Sequence, residues 1–363
     1  MKNMKVALFV YDISLTGGAE HVAMNLASEF SKIYKTYLIS IFDQKHICDG
    51  VHLYEMQVLS KQNISITINL MKLSSRLRRY IRQNEIDVLI AITAGVVTVA
   101  DLAAVNTDTK VIYAEHSNLE NRTYGKKHQL RQFIGAKFSD IVVTLTERDK
   151  VNFEKIFKIR KEKIYVIPNW YTPNTDINEK NKSLSKNIIS VGRLEKVKGY
   201  HYLLEVAKKI YPYFPDWKWD IYGEGSLREE LQRQIKSNGL SGFIELKGNV
   251  MELSKVYGNY SIYVMTSLYE GLPMSLLEAQ AAGLPIISFD CPTGPAEIVE
   301  NGVNGIIVQE YHIEEMVQAI KSLMEDVGLR ENYASKASIN LHHFSKENIM
   351  KKWIELFKQI SNN

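Results

Sequence analysis

Cysteine is scarce in this sequence: Cys48 and Cys291 are the only two, and they stand far apart. A disulfide framework and a cysteine-ligated metal site are therefore excluded as organising features. No apolar run approaches the roughly 18 residues needed to span a bilayer. The opening Met1-Lys2-Asn3-Met4-Lys5 runs straight into a strand-like stretch, without a long apolar region and a small-residue cleavage site. No signal peptide is expected, and the expected compartment is the cytoplasm. No Asp-x-Asp pair occurs, so the carboxylates that commonly hold a divalent cation against a phosphate are missing and no metal is expected. His342 and His343 are adjacent, diverge on a helix, and make a poor metal site. No interleaved aromatic and basic motif speaks for nucleic acid.

What is present is an ordinary globular balance, 45% hydrophobic and 24% charged over 363 residues. That length suits two domains of about 170 residues each. The net charge of +4 divides unevenly, +7 for residues 1–182 and −3 for residues 183–363. A basic first half has two readings, an anionic partner or a solvated basic surface.

Short Val- and Ile-rich runs alternate with helical periods. In the first half, Lys5–Tyr11, Thr36–Phe42, Val88–Ile92, Val111–Ala114, Ile141–Leu145 and Ile164–Ile167 read as strands. Ala19–Phe30, Ile66–Gln83 and Gln129–Lys137 read as helices. A polar stretch from Tyr171 to Lys186 reads as a linker. A second alternation begins at Asn187–Val191, with helices at Tyr200–Ile210, Leu227–Asn238, Met274–Ala282 and Ile313–Met324. The fold class expected is α/β, with two doubly wound, Rossmann-like parallel-sheet domains facing a cleft. The boundaries expected are 1–170, a linker at 171–186, 187–345, and a C-terminal helix over 346–363 that crosses back to the first domain. Ligands in such sheets bind beyond the carboxyl ends of the strands, so the loops there carry the chemistry.

Several of those loops are chemically suggestive. Glu270-Gly271-Leu272-Pro273-Met274 leads into a helix on which Glu278 lies a turn further on. The first-turn N–H groups of that helix attract an anion, and carboxylates before and inside the helix suit hydroxyls at two ends of an elongated ligand. The alternative reading is a surface helix with two ordinary glutamates. Gly192-Arg193…Lys198-Gly199 places two cations after a strand, where they can offset the charge of a diphosphate. Tyr222-Gly223-Glu224-Gly225 is not a dinucleotide fingerprint, because Arg228 holds the third glycine position.

The order of Gly192-Arg193…Lys198-Gly199, Tyr222-Gly223-Glu224-Gly225, Lys247-Gly248-Asn249-Val250, Glu270-x7-Glu278, Gly294-Pro295-Ala296-Glu297-Ile298 and Asn301-Gly302…Asn304-Gly305 resembles the retaining glycosyltransferase family 4, with a GT-B fold and an E-x7-E motif. The likeness is strongest over residues 187–310. Thr16-Gly17-Gly18-Ala19-Glu20, Glu115-His116-Ser117 and Ile167-Pro168-Asn169 extend it into the first half. The resemblance implies a hexose or N-acetylhexosamine moved from a UDP-sugar to a glycan or polyprenyl-diphosphate-linked acceptor, without metal or other cofactor. It implies that Arg193 and Lys198 bind the diphosphate and that Glu270 and the Gly271, Leu272, Pro273 and Met274 segment contact the sugar. Glu278 would meet the ribose hydroxyls, and Gly223, Lys247 and Val250 would line the nucleotide. Gly17 and Gly18 would face the diphosphate and acceptor, with His116 near the reacting carbon. A non-catalytic sugar-nucleotide-binding protein and a sugar-nucleotide epimerase on the same fold are the alternatives.

Tyr124–Phe138 sets Leu130, Phe133, Ile134 and Phe138 beside Lys126, Lys127 and Arg131, and Arg76, Arg78, Arg79 and Arg82 cluster on another helix. Such a helix either packs its stripe on the sheet or lies on an anionic membrane. With the +7 first half, peripheral membrane contact at the inner face is the expectation.

Overall fold

The computed structural model describes residues 4–13, 18–42, 53–60, 62–121, 125–171, 182–250 and 252–362. The chain divides into two compact units, one of Met1–Asn169 with Met350–Asn363 and the other of Trp170–Ile349.

The first unit runs β1 (Lys5–Asp12), α1 (Gly18–Phe30), β2 (Lys35–Phe42), β3 (Glu55–Val58), α2 (Ile66–Asn84), β4 (Val88–Ile92), α3 (Ala94–Ala104), β5 (Lys110–Ala114), α4 (Gly125–Phe138), β6 (Ile141–Thr144), α5 (Glu147–Phe157) and β7 (Ile164–Val166). Among the described residues the sheet has seven parallel strands in the order β3-β2-β1-β4-β5-β6-β7. Its central strands are buried on both faces: every residue of Val88–Ile92 is buried, which is why that sequence is an unbroken apolar run.

The second unit runs β8 (Asn187–Val191), α6 (Tyr200–Ile210), β9 (Lys218–Tyr222), α7 (Arg228–Ser237), β10 (Ile244–Gly248), β11 (Ile262–Met265), α8 (Met274–Ala281), β12 (Ile286–Phe289), α9 (Pro295–Ile298), β13 (Gly305–Val308), α10 (Ile313–Glu325) and α11 (Val327–Lys336). Among the described residues its parallel sheet has six strands in the order β10-β9-β8-β11-β12-β13. The strand order reverses between β8 and β11, which pair directly through Ile188 with Ile262 and Ile189 with Tyr263. The carboxyl ends of those two strands are therefore the sheet's switch point, the usual ligand position in an open α/β sheet.

The last helix, α12 (Lys346–Asn362), contributes its residues from Met350 onward to the first unit. Trp353 and Phe357 are buried there against Phe30, with ring centroids 5.7 and 5.2 Å away. Each such aromatic contributes about 2–3 kcal/mol by burial. The described ends of the polar 171–186 stretch are tied down. Tyr171 N donates to Phe344 O at 3.2 Å, and the buried Arg330 guanidinium donates to Ser183 O at 2.6 and 2.9 Å.

Candidate functional site

In the second unit, the loops after β8 and β11 are fastened to each other. Leu268 N donates to Val197 O (2.8 Å), and Thr266 Oγ1 donates to Lys198 O (3.2 Å). Gly199 permits this contact. Its φ is +63°, and a Cβ there would fall 2.1 Å from Thr266 O. Gly223 does the same on the neighbouring strand, with φ +137° and a Cβ position 2.1 Å from Gly192 O.

That fastening brings Lys198 to Glu270 across 72 residues of sequence, Nζ to Oε1 at 2.6 Å. Their side chains are only 17% and 11% exposed, so each offsets the other's loss of hydration. Thr293 Oγ1 donates to the Glu270 carbonyl and holds the loop from β12's side. Beyond Glu270, Gly271 is half-buried and Leu272 and Pro273 are buried. Pro273 then starts α8. No side chain caps this helix, so its first-turn N–H groups near Met274 are presented to an anion. Arg193 is exposed on the β8 loop, upstream of Lys198.

Glu278 lies one turn into α8. Burial raises its carboxyl above the usual range, and a hydrogen bond from Tyr257 Oη (3.3 Å) works against that. The same hydroxyl is shared with Ser275 O at 3.2 Å. Lys247 is engaged by Glu245 on its own strand (2.9 Å) and by Asp220 on β9 (3.6 Å), and Val250 is exposed beyond it. Among the described residues, no group of three or more His, Cys, Asp or Glu could hold a metal ion.

In the first unit, His116 follows β5. Burial pushes its imidazole down to about 4, so the ring is neutral near pH 7. Both ring nitrogens are buried, and among the described residues neither has a hydrogen-bond partner. Gly18 is exposed at the start of α1. Gly17 lies outside the described residues.

The structure thus gathers Lys198, Glu270, the Gly271–Met274 segment and Glu278 on neighbouring loops at one sheet's switch point. It also shows residues that sequence reasoning passed over. Tyr257 holds Glu278, Thr293 holds Glu270, and Glu115 braces the His116 loop. None carries a local signal, because each acts across a long chain separation or through burial.

The stripe on α4 does not pack on the sheet. The buried face is Gln132, Gly135 and Ala136. A Cβ on Gly135 would come within 2.7 Å of the Tyr113 ring, so glycine lets the helix sit close with that face inward. Leu130, Phe133 and Phe138 are left 58%, 42% and 72% exposed, next to exposed Lys126 and Lys127. On α2, Ile68 and Met71 are also exposed, and Arg131 joins the two helices through Thr67 at 3.1 Å. Among the described residues no helix is long and apolar enough to cross a membrane.

Comparison with known proteins agrees with this architecture. Residues 16–174 match the model of Glycosyltransferase Family 4, and residues 174–339 match that of Glycosyl transferases group 1. An uncharacterized glycosyltransferase of Haemophilus influenzae is 29% identical, covering 96% of this chain and 98% of its own. The amylovoran biosynthesis glycosyltransferase AmsD of Erwinia amylovora is 28% identical over 97% and 99%. Among solved structures, a Staphylococcus aureus TarM variant in complex with fondaparinux, alpha-GlcNAc-glycerol and UDP superposes with a TM-score of 0.81 at 17% identity, over 98% of this chain and 99% of that one. Anabaena HepE in complex with UDP gives 0.82 at 20%, over 99% and 100%. The chain is a glycosyltransferase of GT-B fold, with a family 4 domain followed by a group 1 domain.

Proposed function

We propose that this enzyme moves a hexose or N-acetylhexosamine from a UDP-sugar to a glycan or polyprenyl-diphosphate-linked acceptor in cell-surface polysaccharide biosynthesis, with retention of configuration and without metal. The observation that carries the reading is the Lys198–Glu270 pair set beside the uncapped start of α8. Similar proteins named for amylovoran biosynthesis and the UDP complexes of the structural neighbours support the donor and the biosynthetic setting.

In this reading the bond from the sugar's anomeric carbon to the β-phosphate oxygen breaks, and a bond from that carbon to the acceptor oxygen forms. The acceptor proton passes to a phosphate oxygen of the departing UDP. Lys198, Arg193 and the N–H groups at the start of α8 offset the charge that builds on the diphosphate, the task a divalent cation performs elsewhere. Glu270 accepts from the sugar's hydroxyls while it keeps Lys198 aimed. Glu278 meets the ribose. His116, held neutral, orients or polarises and is not the general base. The exposed apolar and basic residues of α2 and α4 support contact with an anionic membrane at the cytoplasmic face, where a lipid-linked acceptor would reside.

Release of UDP from a panel of UDP-sugars, measured with a lipid-linked acceptor and EDTA present, tests the transfer. Turnover of one donor in EDTA is expected; activity that appears only with added metal would overturn the metal-free mechanism. Flotation with anionic vesicles tests the membrane contact. Binding there and not to neutral vesicles is expected, and equal, negligible binding to both would sink it.

A further inference from the structure

We infer that Glu115 is a positioning residue for the transfer, its carboxylate fixing the loop that presents His116. The inference rests on the reading of His116 given above. Among the described residues His116 has no hydrogen bond on either ring nitrogen, so its ring takes its direction from the backbone that carries it and from packing. That backbone is Glu115–Ser117, and Glu115 pins it from both ends. Its main-chain N–H donates to Val143 O on β6 at 2.9 Å. Its side chain, in a residue only 3% exposed, accepts from every side. Oε1 accepts from Ser117 N (2.9 Å) and Ser117 Oγ (2.8 Å), closing a short turn around His116. Oε2 accepts from the Tyr113 hydroxyl on β5 and from Gln132 Nε2 on α4 at 3.3 Å.

A buried carboxylate is costly unless its lone pairs are met, and here all the donors converge from the strand, the loop and the neighbouring helix. An apolar side chain would fill the same space with less penalty. What it could not do is tie residue 117 to residue 113 and to α4 at once. His128 extends the cluster, its Nε2 3.5 Å from Ser117 Oγ. The arrangement holds an unpartnered imidazole in one direction before any ligand arrives, which is what a group meant to meet a reacting sugar requires.

A double-mutant cycle on UDP release separates positioning from plain structural support. Glu115→Ala in the parent is expected to lower kcat about 30-fold to 100-fold, with donor KM within about threefold. Glu115→Gln is expected to recover most of that loss, because Gln132 can turn its amide to match and the tyrosine hydroxyl can rotate. In a His116→Ala background, Glu115→Ala is expected to cost less than about threefold more. If it costs as much there as in the parent, Glu115 does not act through His116 and the inference fails. If His116→Ala alone is fully active, the reading of His116 has failed first, and the inference goes with it. Should Glu115→Ala not fold, Gln132→Leu removes one donor from the same carboxylate. It carries the same cycle with an expected loss of about threefold to tenfold, and additivity in that cycle would equally overturn the inference.

Discussion

The two units treat their chief ionisable groups in opposite ways. In the second, Lys198 and Glu270 satisfy each other within the protein, and the loops around them are fastened by hydrogen bonds and close glycine contacts. In the first, the ring nitrogens of His116 are buried, its imidazole is neutral, and neither nitrogen has a partner among the described residues. The difference teaches that the charged groups of the second unit meet each other in the folded chain, whereas the histidine's nitrogens meet no partner among the described residues. An ion pair can be kept in a low-dielectric site because it is complete; an imidazole can be kept there only by giving up its charge.

The sharpest way to break this comparison is at the pair. Lys198→Ala and Glu270→Gln are each expected to lower transfer by about 10²-fold to 10³-fold, since in the proposed reaction both groups act where charge builds in the transition state. Steady-state UDP release would show it, and near-parent activity in both variants would overturn the site. His116→Ala should cost less, about tenfold to 100-fold in kcat. Because the ring is already neutral, kcat should show no limb from this group between about pH 5 and 8; a limb that vanishes in His116→Ala would contradict the buried, neutral state.

Stability against pH sharpens the contrast within the first unit. His116's folded value near 4 lies below its ordinary 6.5, so the folded state binds fewer protons and stability is lost as pH falls from about 6.5 through 4. Asp101 runs the other way. Its carboxyl is pushed up to about 7 by burial, with Ser139 Oγ on one oxygen (2.8 Å) and, among the described residues, no hydrogen bond to the other. Its folded state holds a proton that the unfolded state releases, so stability is lost as pH rises from about 4 through 7. Asp101→Asn is therefore expected to stabilise by about 1–2 kcal/mol at pH 8 and by little at pH 4, read from urea midpoints. The smallest stability effect belongs to the α4 stripe. Leu130→Ser with Phe138→Ser should shift stability by no more than about 0.5 kcal/mol per site, as exposed positions do, while vesicle binding falls.

Much of the sheet architecture was legible in the sequence because its strands are short, apolar and bounded. Val88–Ile92 and Asn187–Val191 are strands over those very residues. Glu55–Val58 escaped because every residue of this edge strand is half-buried and no alternation marks it. Ala94–Ala104 escaped because it is buried nearly all round and so shows no helical period. The α4 stripe was visible as composition, but its direction was not. That depends on Gly135 meeting the Tyr113 ring. In the site, the E-x7-E spacing and the Arg-Lys loop were readable because each lies within one short segment. The Lys198–Glu270 contact and the Tyr257 support of Glu278 were not, since they depend on which elements become neighbours, and neither was the Glu115 brace, since only the folded chain brings Gln132 of α4 to it.

The central claim is that the second unit holds the nucleotide by itself and without metal. Calorimetric titration with UDP in EDTA tests it most directly, on the parent and on Lys198→Ala, Glu278→Ala and His116→Ala. The account predicts that the parent binds, that the first two variants each lose at least about tenfold in affinity, and that His116→Ala binds like the parent. UDP affinity unchanged in Lys198→Ala and Glu278→Ala, or lost in His116→Ala alone, would contradict it.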